Sequence, residues 1–337
     1  MASVKLERPE EENPIEKIAT SVYPPFALLA GMQLDLFTPL KNGPMNAEQI
    51  ATTIGASPVK LKVLLYALVV AGLLNVEGEF FSNTDAANRF LVKGSPSCIV
   101  DIHELFSTMW NAALKTAESI RTGLPQAKLN YADMSQDELQ QFFCGEHPYA
   151  AEYGHDLVKR YDFSSYKTLL DVGGGSGGLA IAVTEACPQI QATVVDLPKV
   201  TPVTQHYIDE AGAGSRVMVV AADAVRDPLP GSYDAAVMTA FIQVLSHADA
   251  RCAIKNVSKV MNAGGEIYIR GYGIIDDSRT SPQKLVGFNL VYINVYDEGQ
   301  AYTEQEHKDW LEEAGFSNFR RAILTDGSSI ITARKIK

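Results

Sequence analysis

The chain has 337 residues, enough for two domains with substantial cores, and its hydrophobic and charged fractions, 46% and 20%, are those of a globular protein. The net charge of −11 argues against a nucleic-acid partner, because no basic stripe is present to release counterions from phosphates. No apolar run reaches membrane-spanning length, the N-terminus lacks the apolar core of a signal peptide, and neither the cysteines nor the histidines show metal spacing. We therefore expect a cytoplasmic protein with reduced thiols, no metal, and no nucleic-acid or membrane partner.

The first hundred residues carry the pattern of a small helical domain that ends in a hairpin. Residues 1–14 are predicted to form a disordered tail. Helices and a hairpin are then expected, in chain order, over 15–40 (broken at Pro24-Pro25), 46–53, 59–71 (started by Ser57-Pro58) and 73–82. This order predicts a winged-helix domain over 15–100.

A winged helix can bind DNA, and residues 59–71 would be its recognition helix. That segment is apolar on nearly every face and carries only two charges, Lys60 and Lys62. A helix of this kind is buried rather than laid along phosphates. We therefore expect the domain to pack against a second copy as a homodimer, with DNA binding as the less favoured alternative.

Residues 101–163 are predicted to be connecting helices that lead into a glycine-rich segment. Apolar residues recur at roughly helical spacing over 141–163. Because clefts at domain junctions hold ligands, this stretch is expected to line a pocket. His147 is the histidine of most interest here, since Phe142, Phe143 and Tyr149 lie around it in sequence, although a structural role is the more common one for such a residue.

The stretch 168–198 organises the rest of the chain. A short apolar run ends on Asp171, a glycine-rich loop and an amphipathic segment follow, and a second apolar run ends on Asp196. This order predicts a strand, a loop, a helix and a second strand. The loop's glycines are Gly173, Gly174, Gly175, Gly177 and Gly178. Ordering five glycines in one loop costs much conformational entropy, which indicates that the loop has a function. We expect that function to be the close approach of a ligand to the loop backbone.

Two cofactors are compatible with this stretch. Glycines at 173, 175 and 178 match the dinucleotide pattern G-x-G-x-x-G, and Asp196 lies near the offset of a ribose-binding acid. Asp171 argues against a nicotinamide dinucleotide, because its carboxylate would repel the pyrophosphate. S-adenosyl-L-methionine (SAM) carries an ammonium, a sulfonium and no phosphate, so Asp171 suits its methionine end and Asp196 its ribose hydroxyls. SAM is therefore the favoured cofactor.

From residue 168 onward, strands and helices alternate. Further strands are expected at 217–221, 235–238 and 267–269, a terminal hairpin at 322–332, and helices at 246–263 and 303–314. The alternation predicts an α/β fold with a doubly wound, mostly parallel, Rossmann-like sheet and an antiparallel hairpin at one edge. Ligands bind such sheets beyond the carboxyl ends of the strands.

Several motifs of the chain resemble those of one family. DVGGGSGG at 171–178, VVDLPKV at 194–200, AADAVRDPLP at 221–230 and EEAGF at 312–316 resemble the SAM-dependent small-molecule O-methyltransferases of the caffeate and acetylserotonin type. LLYALVVAGLL at 64–74, with the hairpin after it, resembles their winged-helix dimerisation domain. The resemblance covers nearly all of the chain past residue 15 and implies a class I methyltransferase domain over 164–337.

The resemblance also implies roles for the matching positions. The methionine end of SAM would be lined by Asp171, Gly173, Gly174, Gly175 and Gly177. Asp196 would hold the ribose, with Leu197 beside the adenine. The adenine would also be bordered by Asp223 and Ala224, and the backbone of Thr239 and Ala240 would close the cofactor site. One wall of the acceptor pocket would contain Phe142, Phe143 and His147, and a second wall would come from 287–303, with Asn289 and Tyr292.

One departure from the family concerns its catalytic histidine. The family carries a His-Asp-Trp triplet after the fourth strand, and Gln243-Val244-Leu245 occupies that place here. Glutamine takes no proton at any useful pH. In an ungapped alignment, Gly271 and Ala301 stand where the family has the two carboxylates that orient the histidine. The loss of all three groups indicates a changed chemistry, in which Gln243 would hold and aim the acceptor.

Other side chains remain as candidates for handling a proton. Tyr292, Tyr296 and Tyr302 can orient an acceptor or carry a proton, although packing is the more common role of each. His247 lies four residues after Gln243, but it falls in the first turn of a predicted helix and is the less favoured substitute base.

These features predict a SAM-dependent methyltransferase (EC 2.1.1 type) that acts on a small, fairly apolar metabolite. Without a general base, a carbon acceptor or an already acidic acceptor is favoured over an ordinary alcohol or phenol. The first alternative is an enzyme of the same fold that binds SAM without net methyl transfer, as a pericyclase or hydroxylase would. The second is a ligand-sensing winged-helix regulator.

Overall fold

The computed structural model describes residues 13–95, 97–131 and 133–336. The chain forms two compact units, Met1–Met109 and Trp110–Lys337. The predicted disordered tail lies, up to residue 12, outside the described residues, and the first helix begins at Pro14.

The described part of the N-terminal unit contains short helices and one small antiparallel sheet. Its elements are α1 (Pro14–Thr20), α2 (Tyr23–Gln33), β1 (Met45–Asn46), α3 (Ala47–Ile54), α4 (Pro58–Val70), β2 (Leu74–Glu77), β3 (Phe80–Asn83) and α5 (Asp85–Phe90). Strand β3 lies between β1 and β2, so the predicted hairpin is present as β2 and β3. The break between the first two helices lies before Pro24-Pro25 and not at these residues, as was predicted. The prolines are accommodated in the first turn of α2, because an N–H group there has no acceptor within the helix.

Helix α4 has two apolar faces, and only one of them is buried within the chain. Leu61, Leu65 and Leu68 belong to the core of the N-terminal unit. On the other side, Val63 and Val70 are 74% and 86% exposed. The predicted all-round apolar helix therefore leaves an apolar surface uncovered in the single chain.

The rest of the chain begins with three successive helices and continues with a mixture of strands and helices. The helices are α6 (His103–Ala113), α7 (Thr116–Thr122), α8 (Gln136–Arg160), α9 (Gly178–Ala186), α10 (Thr201–Glu210), α11 (His247–Lys259), α12 (Gln283–Val295) and α13 (Glu304–Glu313). The strands are β4 (Thr168–Val172), β5 (Gln191–Asp196), β6 (Val217–Ala221), β7 (Tyr233–Thr239), β8 (Met261–Gly271), β9 (Ile274–Ile275), β10 (Tyr302–Thr303), β11 (Phe316–Ile323) and β12 (Ser329–Lys335). A short 3₁₀ turn, Ile242–Val244, follows β7.

Seven of these strands form one sheet in the order β11-β12-β8-β7-β4-β5-β6. Neighbouring strands from β6 through β8 are parallel, and β12 pairs antiparallel with both β8 and β11. The predicted doubly wound sheet with an antiparallel edge hairpin is thus confirmed. The strand order reverses at β4, which has β5 on one side and β7 on the other, and the glycine loop follows β4 at this switch point.

Helices cover both faces of the sheet. Ile254 of α11 and Trp310 of α13 belong to the core on one face, whereas Leu157 of α8 and Leu179 of α9 belong to the core on the other. Two parallel-sheet faces covered in this way explain why the central strands are apolar along their whole length.

The prediction that the helix from Ser246 continues to Gly264-Gly265 was wrong. Helix α11 ends at Lys259, and Met261 already belongs to β8, where it pairs with Tyr233. A Cβ at Gly265 would lie 2.7 Å from the carbonyl oxygen of Asp234, so this glycine allows a close approach of β7. Pairing within the sheet, which local sequence pattern does not contain, decided the end of the helix.

No single helix in the described residues is long and apolar enough to span a membrane; only α3 and α4 taken together, bent by 110°, reach that length and composition. Among the same residues, no group of three or more His, Cys, Asp or Glu side chains is arranged to hold a metal ion.

Candidate functional site

The glycine loop between β4 and α9 requires glycine at several positions. Gly173, Gly175 and Gly177 have φ values of 65°, 56° and 75°, which favour glycine because it lacks a Cβ. A Cβ at Gly173 would overlap the ring of Phe241, and a Cβ at Gly175 would lie 2.5 Å from the ring of Phe143. The loop is therefore tightly turned and bordered by two aromatic rings.

Asp171, at the end of β4, is the more deeply buried of two carboxylic acids beside this loop. It is 1% exposed, and its Oδ2 has no hydrogen-bond partner among the described residues. Burial, with a smaller contribution from the charge of Asp196, raises the pKa of Asp171 to about 7. A hydrogen bond from the Ala180 N–H opposes this rise without cancelling it.

Asp196, at the end of β5, faces the same loop. Its Oδ2 accepts a hydrogen bond from the Gly175 N–H at 2.8 Å, and its Oδ1 accepts one from the Leu197 N–H at 2.7 Å. Removal from solvent raises the pKa of Asp196 to about 6, although both hydrogen bonds lower it.

The surroundings of Asp171 and Asp196 indicate the charge of the cofactor that the loop can hold. No cationic side chain acts on either carboxyl in the described structure, and one oxygen of Asp171 is unpartnered. A ligand with positive charge would supply the missing counter-charge, whereas the phosphates of a dinucleotide would be repelled. The residues of the loop therefore fit SAM and do not fit a nicotinamide dinucleotide.

The next strand ends supply the remaining candidate cofactor positions. Asp223 follows β6, where its Oδ1 accepts a hydrogen bond from the Val225 N–H at 2.9 Å, and Ala224 beside it is buried. Thr239, at the end of β7, has a buried hydroxyl with no partner among the described residues. Ala240 has a φ of 52°, an unusual conformation for a residue with a Cβ. All these residues lie at the carboxyl edge of the sheet, as the sequence predicts.

Helix α8 borders the glycine loop from one side. The His147 Nδ1 lies 2.9 Å from the Ser176 hydroxyl, and its ring stacks on Tyr207 at 4.1 Å. Burial lowers the pKa of His147, so its imidazole is neutral at pH 7. The Phe142 ring packs edge-on against the Phe143 ring at 5.2 Å. Two of the predicted wall residues, Phe143 and His147, therefore lie next to the loop, and Phe142 packs against Phe143.

Gln243 is buried in the turn after β7. It is 7% exposed, and its amide is hydrogen-bonded to the hydroxyl of Tyr292 on α12. A Cβ at Gly271 would lie 3.2 Å from the Gln243 Oε1, and one at Gly273 would overlap the Gln243 side chain. The absence of side chains at these two glycines is what leaves room for the amide.

The other position that the ungapped alignment predicts to match a family carboxylate is Ala301. Ala301 is fully buried beside Ile275 and Leu285, and its N–H donates to the Asn289 Oδ1 at 2.8 Å. Asn289, a predicted pocket residue, is therefore engaged in holding the backbone of this segment.

Tyr302 and His247 both contact Trp310 of α13. The Tyr302 hydroxyl donates to the Leu245 carbonyl at 2.7 Å, and its ring packs against Trp310 at 5.0 Å. His247 is on the surface at the start of α11 and lies edge-on to the same Trp310 at 4.9 Å. These contacts account for both side chains without a ligand.

A group of tyrosines completes the region between α8 and α12. Tyr131, from the segment before α8, is hydrogen-bonded to Tyr296, and Tyr296 lies 6.0 Å from Tyr292 between ring centres. The Tyr131 ring also packs edge-on against Phe142 at 5.5 Å. Burial raises the pKa of Tyr131 well above its usual range, and Asp196 contributes to this rise. Tyr131 also packs in one apolar cluster with Phe143 and Leu197, which links the tyrosines to the predicted cofactor positions.

A cavity opens beside these residues. It has a volume of about 430 Å³ and is lined by Leu197, Tyr131, Tyr296, Val244 and Leu245, with Asp249 and Glu298 among the acidic groups at its edge. Because Val244 and Leu245 follow Gln243 directly, the cavity connects the predicted adenine side of the site with the turn that carries Gln243.

Tyr131 and Glu146 were not among the site residues predicted from the sequence. Glu146 is on α8, one position before His147, and its charge contributes to raising the pKa of Tyr131, Tyr149, Tyr153 and Tyr296. The sequence feature that could have indicated Glu146 is its spacing from Tyr149 and Tyr153, which places the three side chains on one face of a helix.

Comparisons with known proteins agree with this architecture. A family model described as an O-methyltransferase domain matches residues 120–317, and one described as an O-methyltransferase dimerisation domain matches residues 17–93. The chain is 28% identical over 327 residues to the tetracenomycin polyketide synthesis 8-O-methyl transferase TcmO of Streptomyces glaucescens, covering 95% of this chain and 96% of that protein.

Two solved structures share the fold. The chain aligns with PigF of Serratia, solved with S-adenosylhomocysteine, with a TM-score of 0.81 at 23% identity, covering 96% of this chain and 100% of that chain. It aligns with human N-acetylserotonin methyltransferase in complex with SAM with a TM-score of 0.80 at 22% identity, covering 98% and 100%. The resemblance in the motifs is thus confirmed: the chain belongs to the O-methyltransferase family with a dimerisation domain, and it is a methyltransferase whose cofactor is SAM.

Proposed function

We propose that this enzyme methylates a small, fairly apolar aromatic or polyketide-like molecule at a carbon or at an already acidic atom. The observation that carries the proposal is the buried Gln243, which is hydrogen-bonded to Tyr292 and packed against Gly271 and Gly273. An amide in this place holds an acceptor but takes no proton from it. The relative named for tetracenomycin polyketide synthesis supports an aromatic acceptor class.

The cofactor is assigned to the glycine loop. When bound, SAM supplies an electrophilic methyl group on a positively charged sulfur. In the proposal, Asp171 faces the ammonium end, Asp196 accepts the ribose hydroxyls, and Gly173 and Gly175 let the backbone approach the ligand. Leu197, Asp223, Ala224, Thr239 and Ala240 border the adenine and ribose.

The acceptor is assigned to the region between α8 and α12. Phe142, Phe143 and His147 form one wall, and Tyr292 with Tyr296 forms the other. The aromatic lining excludes water and provides hydroxyl groups that orient an acceptor by hydrogen bonds. Positioning of this kind can supply much of the rate of a displacement at carbon, because the reactants no longer lose their freedom of motion in the transition state.

We also propose that the N-terminal unit forms a homodimer. Val59, Val63, Tyr66 and Val70 recur at helical spacing on the uncovered face of α4, with exposures of 80%, 74%, 43% and 86%. A continuous apolar surface of this kind is buried in an assembly. The match of residues 17–93 to a dimerisation domain supports a second copy of the chain as the partner.

The acceptor proposal is tested with phenols of graded acidity and with carbon acids, using SAM labelled in its methyl group. We expect the wild-type rate of label transfer to rise with acceptor acidity, and Gln243→His to gain rate on the weakly acidic phenols. A wild-type enzyme that methylates weakly acidic phenols as fast as acidic ones would contradict the proposal.

A further inference from the structure

Helix α8 carries an acidic side chain, Glu146, beside the residues that contact the glycine loop. Phe143 lies over the loop and His147 is within hydrogen-bonding distance of it, and Glu146 lies between them in sequence. With 3.6 residues per helical turn, Glu146 shares a face with Tyr149 and Tyr153 that adjoins the loop-facing side. Glu146 is therefore in the part of α8 that borders the cofactor loop, on the same helix face as two tyrosines.

Several phenol groups are affected by the charge of this carboxyl, and they come from different elements. Tyr149 and Tyr153 belong to α8 itself, Tyr131 comes from the segment before α8, and Tyr296 directly follows α12. The charge of Glu146 contributes to raising the pKa of each of them. No lysine, arginine or histidine in the described residues acts on Glu146, and burial alone raises the pKa of its carboxyl.

Glu146 also makes no hydrogen bond or ion pair with any described residue. Glu146 is partly buried, and a carboxylate that is partly removed from water and has no partner costs the fold stability. A bound ligand with an O–H, N–H or acidic C–H group would provide the missing partner.

We propose that Glu146 is the catalytic residue that accepts the acceptor's proton, the task for which Gln243 is chemically unsuited. This inference rests on the proposed methyl transfer. In the step, the acceptor's bond to hydrogen breaks and its proton moves to a carboxylate oxygen of Glu146. The electron pair left on the acceptor forms the new bond to the methyl carbon, and the sulfur keeps the pair of the broken S–C bond. The charge balances because the positive charge of the sulfonium is replaced by the proton.

The neighbouring groups are poorer proton acceptors. Burial raises the pKa of Tyr296 to about 12, so its phenol holds its proton at neutral pH. The His147 imidazole is already within hydrogen-bonding distance of Ser176 and stacked on Tyr207. A carboxylate with a raised pKa is a better base than an ordinary carboxylate but remains a weak one, which agrees with an acidic acceptor.

The first test compares Glu146→Gln with Glu152→Gln, a change at an exposed acid on the same helix. At saturating SAM, we expect Glu146→Gln to lower kcat by about 10²–10³-fold, to remove the fall of kcat toward low pH, and to leave SAM affinity unchanged. The loss should be larger for weakly acidic acceptors, and Glu152→Gln should behave as the wild type. Full kcat with an unchanged pH profile in Glu146→Gln would overturn this inference and leave the proposed function standing.

The second test needs no turnover. It uses 4-nitrophenol, whose absorption distinguishes phenol from phenolate, bound to the complex with S-adenosylhomocysteine. We expect the bound probe to ionise at a higher pH in the wild type than in Glu146→Gln, because the carboxylate opposes a second negative charge. Equal titration of the bound probe in both proteins would overturn the role of Glu146. Failure of the probe to bind either protein would contradict the acceptor pocket itself, and the role of Glu146 with it.

Discussion

SAM binding should strengthen steeply between pH 6 and pH 8, because two shielded carboxyls must ionise to face a cationic ligand. The pKa values of Asp171 and Asp196 are raised to about 7 and about 6. At pH 6, about a tenth of Asp171 and about half of Asp196 are ionised, so affinity should be about 20-fold weaker than at pH 8.

The same pKa shifts act in the opposite direction on the fold without ligand. A carboxyl with a pKa raised by folding stabilises the folded state below the pKa of the unfolded chain, and this contribution is lost as the pH rises through the folded pKa. For Asp171, that window runs from about pH 4 to about pH 7. Ionisation of Asp171 should therefore lower the melting temperature of the free enzyme over the pH range in which SAM affinity rises.

Calorimetric titration with SAM at pH 6, 7 and 8 measures this dependence directly. Asp171→Asn should bind SAM more weakly at pH 8 and lose most of the pH dependence, whereas Asp209→Asn, at an exposed acid of α10, should retain the wild-type dependence. Equal wild-type affinity at pH 6 and pH 8, or an unchanged slope in Asp171→Asn, would refute the assignment of these acids to the cofactor.

Three further changes test other parts of the site and the assembly. Gly175→Ala should lower SAM affinity at least about tenfold by calorimetry, because an alanine there is strained at a φ of 56° and its Cβ meets the Phe143 ring. The control Gly214→Ala, whose Cβ would lie in open space, should bind SAM as the wild type does. Gln243→Leu should raise the acceptor KM about 5–30-fold with unchanged SAM affinity, since a hydrogen bond worth roughly 1–2 kcal/mol is lost; an unchanged KM would remove Gln243 from the acceptor pocket. Val63→Asp should convert a dimer into a monomer in light scattering, and a wild-type monomer at micromolar concentration would contradict the homodimer.

The fold was largely predictable because its strongest signals are local. The carboxyl ends of β4 and β5 are marked by Asp171 and Asp196, and the loop between them by its glycines. The error at β8 arose because Met261 follows a helical pattern but is held by pairing with Tyr233, a contact between distant parts of the chain. The domain limits 15–100, 101–163 and 164–337, and the cytoplasmic location, stay predictions.

The acceptor side of the site was less predictable. Tyr131 and Tyr296 are 165 positions apart in the sequence and meet only through the tertiary fold. No motif marks Glu146, and the role proposed for it could not be predicted because the tyrosines that its charge affects come from three parts of the chain. Tyr302, by contrast, is a plausible candidate in sequence, but its hydroxyl is engaged by the Leu245 carbonyl.

The most direct test of the central claim is to incubate the wild-type enzyme with methyl-labelled SAM and the acceptor panel, and to quantify labelled product and S-adenosylhomocysteine together by mass spectrometry. Methyl transfer predicts that the two form in equal amounts and only when enzyme and acceptor are both present. Conversion of an acceptor without consumption of SAM would contradict methyl transfer and favour an enzyme that uses SAM only for its charge.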